Sequence, residues 1–423
     1  MKVLLLTQVL PYPPDSGPKV KTWNVLKYLT QHHQVTLVSF VRGDQSVEIK
    51  HLQQYCHAVH TVPMERSAWL DGQAMIRSLL SGQSWLMVRD DRAAMRQLVD
   101  RLAVETQFDI AHADQLNMAQ YAARVPGACK ILDAHNALWL LYQRLWQTMG
   151  FGPKKWLLGR DWRLLKQYEG RLCREFDAVL AVSEEDKAAL QEAIQGKDEG
   201  GRQKAEGRRL KNNSSLHPSS FIPHPSITVI PIAVDTDEVA PVSRPPAADH
   251  ILHIGTMYWP PNVDGILWFI NQVYPHIRNK RPKVIFDVVG ARPPQEIMDL
   301  SGNGTGINVT GYVSDPTPYR QQAGVMVVPL RAGGGMRVKI LEALAQGLPI
   351  VSTTLGCEGI AVTHGQNILI ADTPHEFAHA VLRLLDNPQF ATELGCNGRR
   401  LAEQLYDYRQ VCQPLENVYR RAG

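Results

Sequence analysis

Thirteen short apolar runs punctuate this chain, and their spacing constrains its fold more than any other feature. In the first half they fall at residues 3–7, 35–40, 58–62, 109–113, 130–134, 178–183 and 227–232. In the second half they fall at 251–255, 284–290, 307–311, 324–330, 349–353 and 367–371. Rich in Val and Ile and without polar alternation, they read as strands buried on both faces. Segments of helical periodicity, such as 22–31 and 339–346, lie between them. Strand–helix–strand repetition predicts parallel sheets covered by helices on both faces. The pattern restarts near residue 250, after Pro241, Pro245 and Pro246, which read as a linker. A chain of 423 residues exceeds one compact core. The expected fold class is therefore α/β, with two Rossmann-like, doubly wound parallel-sheet domains. Their expected bounds are 1–234 and 250–400, joined by a linker at 235–249 and followed by a closing segment at 401–423.

Composition narrows the class further. Hydrophobic residues at 44% and charged residues at 20% describe an ordinary globular protein, neither disordered nor fibrous. A formal charge of +4 without clustering gives no expectation of nucleic acid. The six cysteines are scattered, with no metal-ligand or redox spacing. They read as reduced, structural residues of a cytoplasmic protein. The apolar start at residues 3–6 is too short for a signal peptide and runs into Pro11, Pro13 and Pro14. No stretch approaches the roughly 18 apolar residues of a membrane span. Residues 195–225 have almost nothing to bury and are expected as a mobile surface insertion. Within it, Arg208-Arg209-Leu210-Lys211 reads as a solvated loop, with acidic lipid or nucleic acid as the alternative.

Open parallel sheets bind ligands at the carboxyl ends of their strands. The strongest signal at such an end is the segment 329–349. A strand closes at Leu330, Gly333-Gly334-Gly335 follow, and a helix begins close to Arg337. Glycines allow close approach of a ligand to the backbone, and the free amides of the helix start favour phosphate oxygens. Lys339 and Glu342, three apart, share a helical face. That face would offer a cation to phosphate and a carboxylate to sugar hydroxyls. The alternative is a surface Lys–Glu pair on an amphipathic helix capped by Gly347.

This segment resembles the donor-binding signature of retaining glycosyltransferases of family 4, which have the GT-B fold of two domains facing across a cleft. Glu342 matches the second glutamate of the family motif, which holds the ribose of the nucleotide. The first falls on Gly334, a departure for which the backbone of Gly333–Gly335 would substitute. The resemblance covers almost the whole chain. Gly17, in Pro11-Tyr12-Pro13-Pro14-Asp15-Ser16-Gly17, matches the family's glycine loop over the donor diphosphate, with Lys19 and Lys21 as neighbours and a helix beginning near Thr22. Asp133-Ala134-His135-Asn136 resembles the strand-end histidine that faces the sugar; His112 reads as buried, with the cleft as its alternative. Gly255, Gly290 and the backbone near Val313 match loops lining the nucleotide. The family's basic pair after the first strand of this domain is missing, which leaves Arg337 and Lys339 to neutralise the diphosphate.

What the resemblance implies is transfer of a sugar from a nucleotide diphosphate sugar to an acceptor hydroxyl, with retention of configuration, and a C-terminal helix at 401–423 that crosses back onto the first domain. The catalytic candidates are His135, Arg337 and Lys339. The donor-binding candidates are Gly17, Gly255, Gly290, Val313, Gly333, Gly334, Gly335 and Glu342. The acceptor is a glycan, a lipid-linked glycan or a small molecule. A nucleotide-sugar epimerase and a non-catalytic nucleotide-sugar-binding module are the alternatives. No cofactor and no metal are expected: Asp235-Thr236-Asp237 spells a metal-binding pattern but sits in the expected linker. Lys154, Lys155 and Trp156, with the helical segment 162–176, read either as a peripheral contact with the inner membrane or as a core helix with a solvated basic face.

Overall fold

The computed structural model describes residues 1–196, 226–245, 248–302 and 304–422. Of the insertion expected at 195–225, residues 197–225, with Arg208–Lys211, lie outside them. By contacts the chain forms two compact units. The first takes Met1–Leu10, His32–Val229 and Glu416–Gly423; the second takes Pro11–Gln31 and Ile230–Leu415.

The first unit is built on a seven-stranded sheet. Its strands are β1 (Lys2–Thr7), β2 (Gln34–Val41), β3 (Ala58–Pro63), β4 (Ile110–Asp114), β5 (Cys129–Asp133), β6 (Ala178–Ala181) and β7 (Ile227–Val229). They lie in the order β3-β2-β1-β4-β5-β6-β7, every pair parallel. Each of the first seven apolar runs supplies one strand. β1 is enclosed on both edges, with Val3 in register with Val35 and Ile110, and Val3, Leu4, Leu5 and Leu6 all fully buried. That is why its sequence shows no polar alternation.

Several helices of this unit matter below. The helix Pro153–Glu175 buries Leu165, Leu172 and Cys173, with Trp162 and Tyr168 packed at the edge of the core, while Arg163, Arg171 and Arg174 face solvent. Its 162–176 segment therefore turns its apolar positions to the core and its cations outward. The last helix, Gln413–Ala422, adds Val418 and Tyr419 as buried residues. Tyr419 places its hydroxyl 2.7 Å from Nδ1 of the fully buried His112, and Glu416 lies 2.9 Å from Nε2 of His33.

The second unit carries a six-stranded parallel sheet of β8 (His250–Ile254), β9 (Ile285–Val289), β10 (Ile307–Gly311), β11 (Ala323–Val328), β12 (Ile350–Ser352) and β13 (Leu369–Ile370). The order is β10-β9-β8-β11-β12-β13. Among the described residues, no helix is long and apolar enough to cross a membrane.

The helix Gly17–His32 packs in this second unit. It starts five residues before the expected Thr22, because Pro18 in its first turn lacks only an amide that has no intrahelical acceptor there. Asn24 donates to the Ala233 carbonyl at 2.9 Å, and the buried Lys27 pairs with Asp235 and, at 3.1 Å, with Glu238. The Asp235-Thr236-Asp237 triplet is occupied structurally. Asp235 also accepts the amides of Asp237 and Glu238, Thr236 donates to Asp407, and Asp237 pairs with Arg409.

Candidate functional site

In the second sheet the chain order reverses between β8 and β11, which makes their carboxyl ends the switch point where α/β sheets take ligands. β8 runs into Gly255 and β11 into Gly333–Gly335. A Cβ at Gly255 would lie 2.7 Å from Lys339 Nζ, and one at Gly290 would lie 1.8 Å from the Gly255 carbonyl oxygen. Two loops thus press on each other and on the lysine with no room for side chains. The Lys339 ammonium donates to Asn262 Oδ1 at 3.2 Å, and Asn262 in turn donates to the Thr256 carbonyl at 2.8 Å. Burial, assisted by the Arg337 guanidinium, pushes the Lys339 amine down to about 7. Beside it, fully buried His253 has Nδ1 3.1 Å from the Val327 carbonyl, and burial holds its imidazole neutral.

The triple glycine adopts the backbone its composition permits. Gly333 has φ +114° and Gly335 φ +75°, conformations that side-chain-bearing residues rarely take. Arg337 folds back, its Nη1 donating to the carbonyls of Gly334 and Gly335, so here it braces the loop. The helix Val338–Ala345 then begins, with Arg337 as its extended first cap. A Cβ at Gly17 would meet Val338 Cγ2 at 3.4 Å, which brings the first glycine loop to this helix start. Glu342, on the same helix, pairs with Arg320 at 3.0 Å. Burial raises its carboxyl, with Arg320 opposing the rise. Val313, after β10, packs against Leu252, Val289 and Ala323. Gly17, Gly255, Gly290, Val313, Gly333–Gly335, Arg337, Lys339 and Glu342 all belong to one unit and cluster around its switch point.

His135 belongs to the other unit. It follows β5, and its Nε2–H donates to Asp114 Oδ1, at the end of β4, over 2.8 Å. A carboxylate cannot donate, so this bond fixes the proton on Nε2 and leaves Nδ1 to accept or to take a second proton. The turn after His135 is pinned by buried acids. Asp186 accepts the Ala137 amide at 2.7 Å, and Glu169 accepts those of Leu138 and Trp139 at 2.9 and 2.7 Å. Together they satisfy the open amides of the helix Leu138–Thr148 that starts there. Asp114, Asp133 and His135 also bring their ligand atoms within 4.8 Å of one another, a set able to hold a metal ion.

Four residues beside these candidates carry no sequence signal strong enough to single them out. His253 lies within β8 and Asp114 ends β4, each a polar residue in a mostly apolar strand; Asn262 and Arg320 stand in helices without a motif. Each acquires its role from a partner distant in sequence.

Residues 248–387 match the family model of the glycosyl transferases group 1. Over 97% of both chains, the protein is 21% identical to an uncharacterised 44.6 kDa protein in the cps region of Klebsiella pneumoniae. Among solved structures, HepE of Anabaena in complex with UDP superposes with a TM-score of 0.66 at 15% identity, covering 100% of both chains. Sucrose-phosphate synthase from Thermosynechococcus elongatus gives a TM-score of 0.69 at 14% identity, covering 100% of this chain and 99% of the other. The two parallel sheets with their strand orders agree with that likeness. The whole chain thus has the GT-B fold of these structures, and its residues 248–387 match the glycosyl transferases group 1.

Proposed function

We propose that the protein transfers a sugar, with retention of configuration, from a nucleotide diphosphate sugar to an acceptor hydroxyl, in the manner of family 4. The observation that carries this reading is the gathering of Gly17, Gly255 and Gly333–Gly335 around Lys339 and Glu342 at the switch point of the second sheet. Backbone amides and Lys339 receive the diphosphate, where preorganised charge stabilises the departing nucleotide. Glu342 exchanges Arg320 for the ribose hydroxyls. His135, oriented by Asp114, serves the sugar. Uridine diphosphate sugars are the first donors to test, because Anabaena HepE has been solved with UDP and with UDP-glucose. The acceptor is a glycan, a lipid-linked glycan or a small molecule.

Calorimetry with uridine, guanosine and adenosine diphosphate sugars is expected to give saturable binding of one class. NMR of the product with a competent acceptor is expected to show the anomeric configuration of the donor. Inverted product would overturn retention. Sugar interconversion without acceptor would instead support an epimerase, and binding without turnover a non-catalytic module. We further propose that transfer needs no metal, with Asp114 engaged as the partner of His135. Chelation by EDTA should then leave the rate unchanged, and a loss restored by a divalent cation would assign Asp114, Asp133 and His135 as ligands.

A further inference from the structure

Surface helices turn their large apolar side chains inward. The helix Ala68–Ser81 of the first unit does the reverse. It buries Ala74 and Ser78 and exposes Trp69 at 70%, Ile76 at 60% and Leu80 at 84%, with Leu79 exposed beside them. Steps of seven and four residues place Trp69, Ile76 and Leu80 along one stripe at the centre of the outer face. Polar ties fix this orientation. Arg160 donates to the Ser78 hydroxyl at 3.1 Å and to its carbonyl at 2.6 Å, and the Trp85 indole donates to the Asp71 carbonyl at 3.2 Å. Ser67 caps the start, and Gly82 ends the helix with φ +70°.

The stripe continues onto a neighbour. Arg160 stands on the helix Pro153–Glu175, and Trp156, 65% exposed, lies one turn earlier on the same face. Phe151, just before that helix, is fully exposed. Single exposed apolar residues are ordinary, but a run of large ones on adjoining helices marks an interaction surface.

The surrounding charge selects the partner. Residues 66–83 and 151–164 contain six cations, Arg66, Arg77, Lys154, Lys155, Arg160 and Arg163, against two acids, Asp71 and Asp161; Arg66 is paired with the buried Asp90 at 2.6 Å, which leaves five cations for a partner. Asp161 is buried and spent on the Trp85 amide and the Ser84 hydroxyl. A second copy of this chain would set the same positive charge against itself. A sheet of anionic headgroups over hydrocarbon complements both features, the cations meeting phosphates and the apolar stripe entering the acyl boundary. We propose that this face docks on an anionic phospholipid bilayer, with Trp69, Ile76 and Leu80 inserted and the cations around them in the headgroups. The core-facing apolar residues of 162–176 take no part. The inference rests on exposure and charge and is independent of the donor reading.

Vesicle flotation tests it. The full chain is expected to float with vesicles of phosphatidylglycerol and phosphatidylcholine in equal parts, not with phosphatidylcholine alone, and to release as salt is raised. Trp69→Glu combined with Leu80→Glu changes only exposed positions, so its thermal melt should match the parent, while the bound fraction falls about tenfold or more. The melt is the fold control and does not depend on any nucleotide binding. Failure of the parent protein to float with anionic vesicles would overturn the proposal, as would a folded double variant that floats equally well. A concentration-dependent dimer that the double variant dissociates, with no flotation of the parent, would assign the face to a second copy instead.

Discussion

Lys339 sits where a diphosphate is proposed to bind, yet its amine titrates near 7, well below the usual lysine range. The reason is that burial against Gly255 strips water from the ammonium while Arg337 adds like charge. The negative charge of a bound diphosphate would offset both effects and favour the charged form. Above pH 7 the free protein must therefore take up a proton to bind, and affinity should fall by up to about tenfold per pH unit until the bound-state value is passed. Calorimetry at pH 8 in buffers of different ionisation enthalpy should report uptake approaching one proton, and Lys339→Met should abolish it. Glu342→Ala is expected to weaken nucleotide binding about 10- to 100-fold with the melt unchanged, as removal of a hydrogen-bonding carboxylate from a partly buried site would. Unaltered affinity would remove Glu342 from the site. These two residues were legible in the sequence because a glycine loop after a strand and a three-residue helical step are local patterns. His253, Asn262 and Arg320 were not, since a lone polar residue gains meaning only from partners such as Val327, Thr256 and Glu342, which the fold delivers.

At the scale of elements, the short helix that follows His135 depends on carboxylates borrowed from elsewhere. Glu169, on the helix Pro153–Glu175, accepts two of its open amides from a fully buried position, and burial pushes this carboxyl up to about 8. In the unfolded chain a glutamate titrates near 4.5. The folded state thus holds the proton more tightly between those values. Its contribution is complete below pH 4.5 and is lost as pH rises through 8, with a slope approaching about 1.4 kcal/mol per unit. Chemical denaturation between pH 5 and 8 should show stability of the first unit declining, and Glu169→Gln, which stays neutral, should flatten that decline. A second contrast belongs to the loops. Gly290→Ala would drive a Cβ into the Gly255 carbonyl and should destabilise the second unit strongly. Gly255→Ala would meet side-chain ends instead, Lys339 Nζ at 2.7 Å, Asn262 Nδ2 at 3.1 Å and His253 Nε2 at 3.2 Å, and by displacing Lys339 should cost nucleotide affinity more than melting temperature. Strands were the legible elements, because burial on both faces writes an uninterrupted apolar run. Helix limits were less so: Gly17-Pro18 reads as a turn until the first-turn tolerance for proline is counted, and the outward apolar face of Ala68–Ser81 shares its periodicity with an inward one.

At the scale of the whole molecule, the chain passes between its two units several times, and sequence pattern records only the restart near residue 250. The grouping of Pro11–Gln31 with the second unit is fixed by pairs such as Lys27 with Asp235, 208 residues apart, which no local period can carry. The return of the tail is expected from the family resemblance, not from any local period. Glu416–Gly423 returns to the first unit, where Tyr419 meets His112 and Glu416 meets His33 across more than 300 residues. His112 is fully buried, so removing the tyrosine hydroxyl leaves Nδ1 without its partner in a medium that cannot replace it. Tyr419→Phe keeps the ring and is expected to cost about 1–3 kcal/mol. A protein of two units need not unfold in one step, so the loss should appear in the transition reported by the first unit's probes, such as the fluorescence of Trp139. Nucleotide affinity, which is proposed to depend on second-unit residues, should stay unchanged. Equal weakening of both would mean that the closing helix supports the two units together, and an unchanged first transition would show that the His112–Tyr419 contact carries no stability.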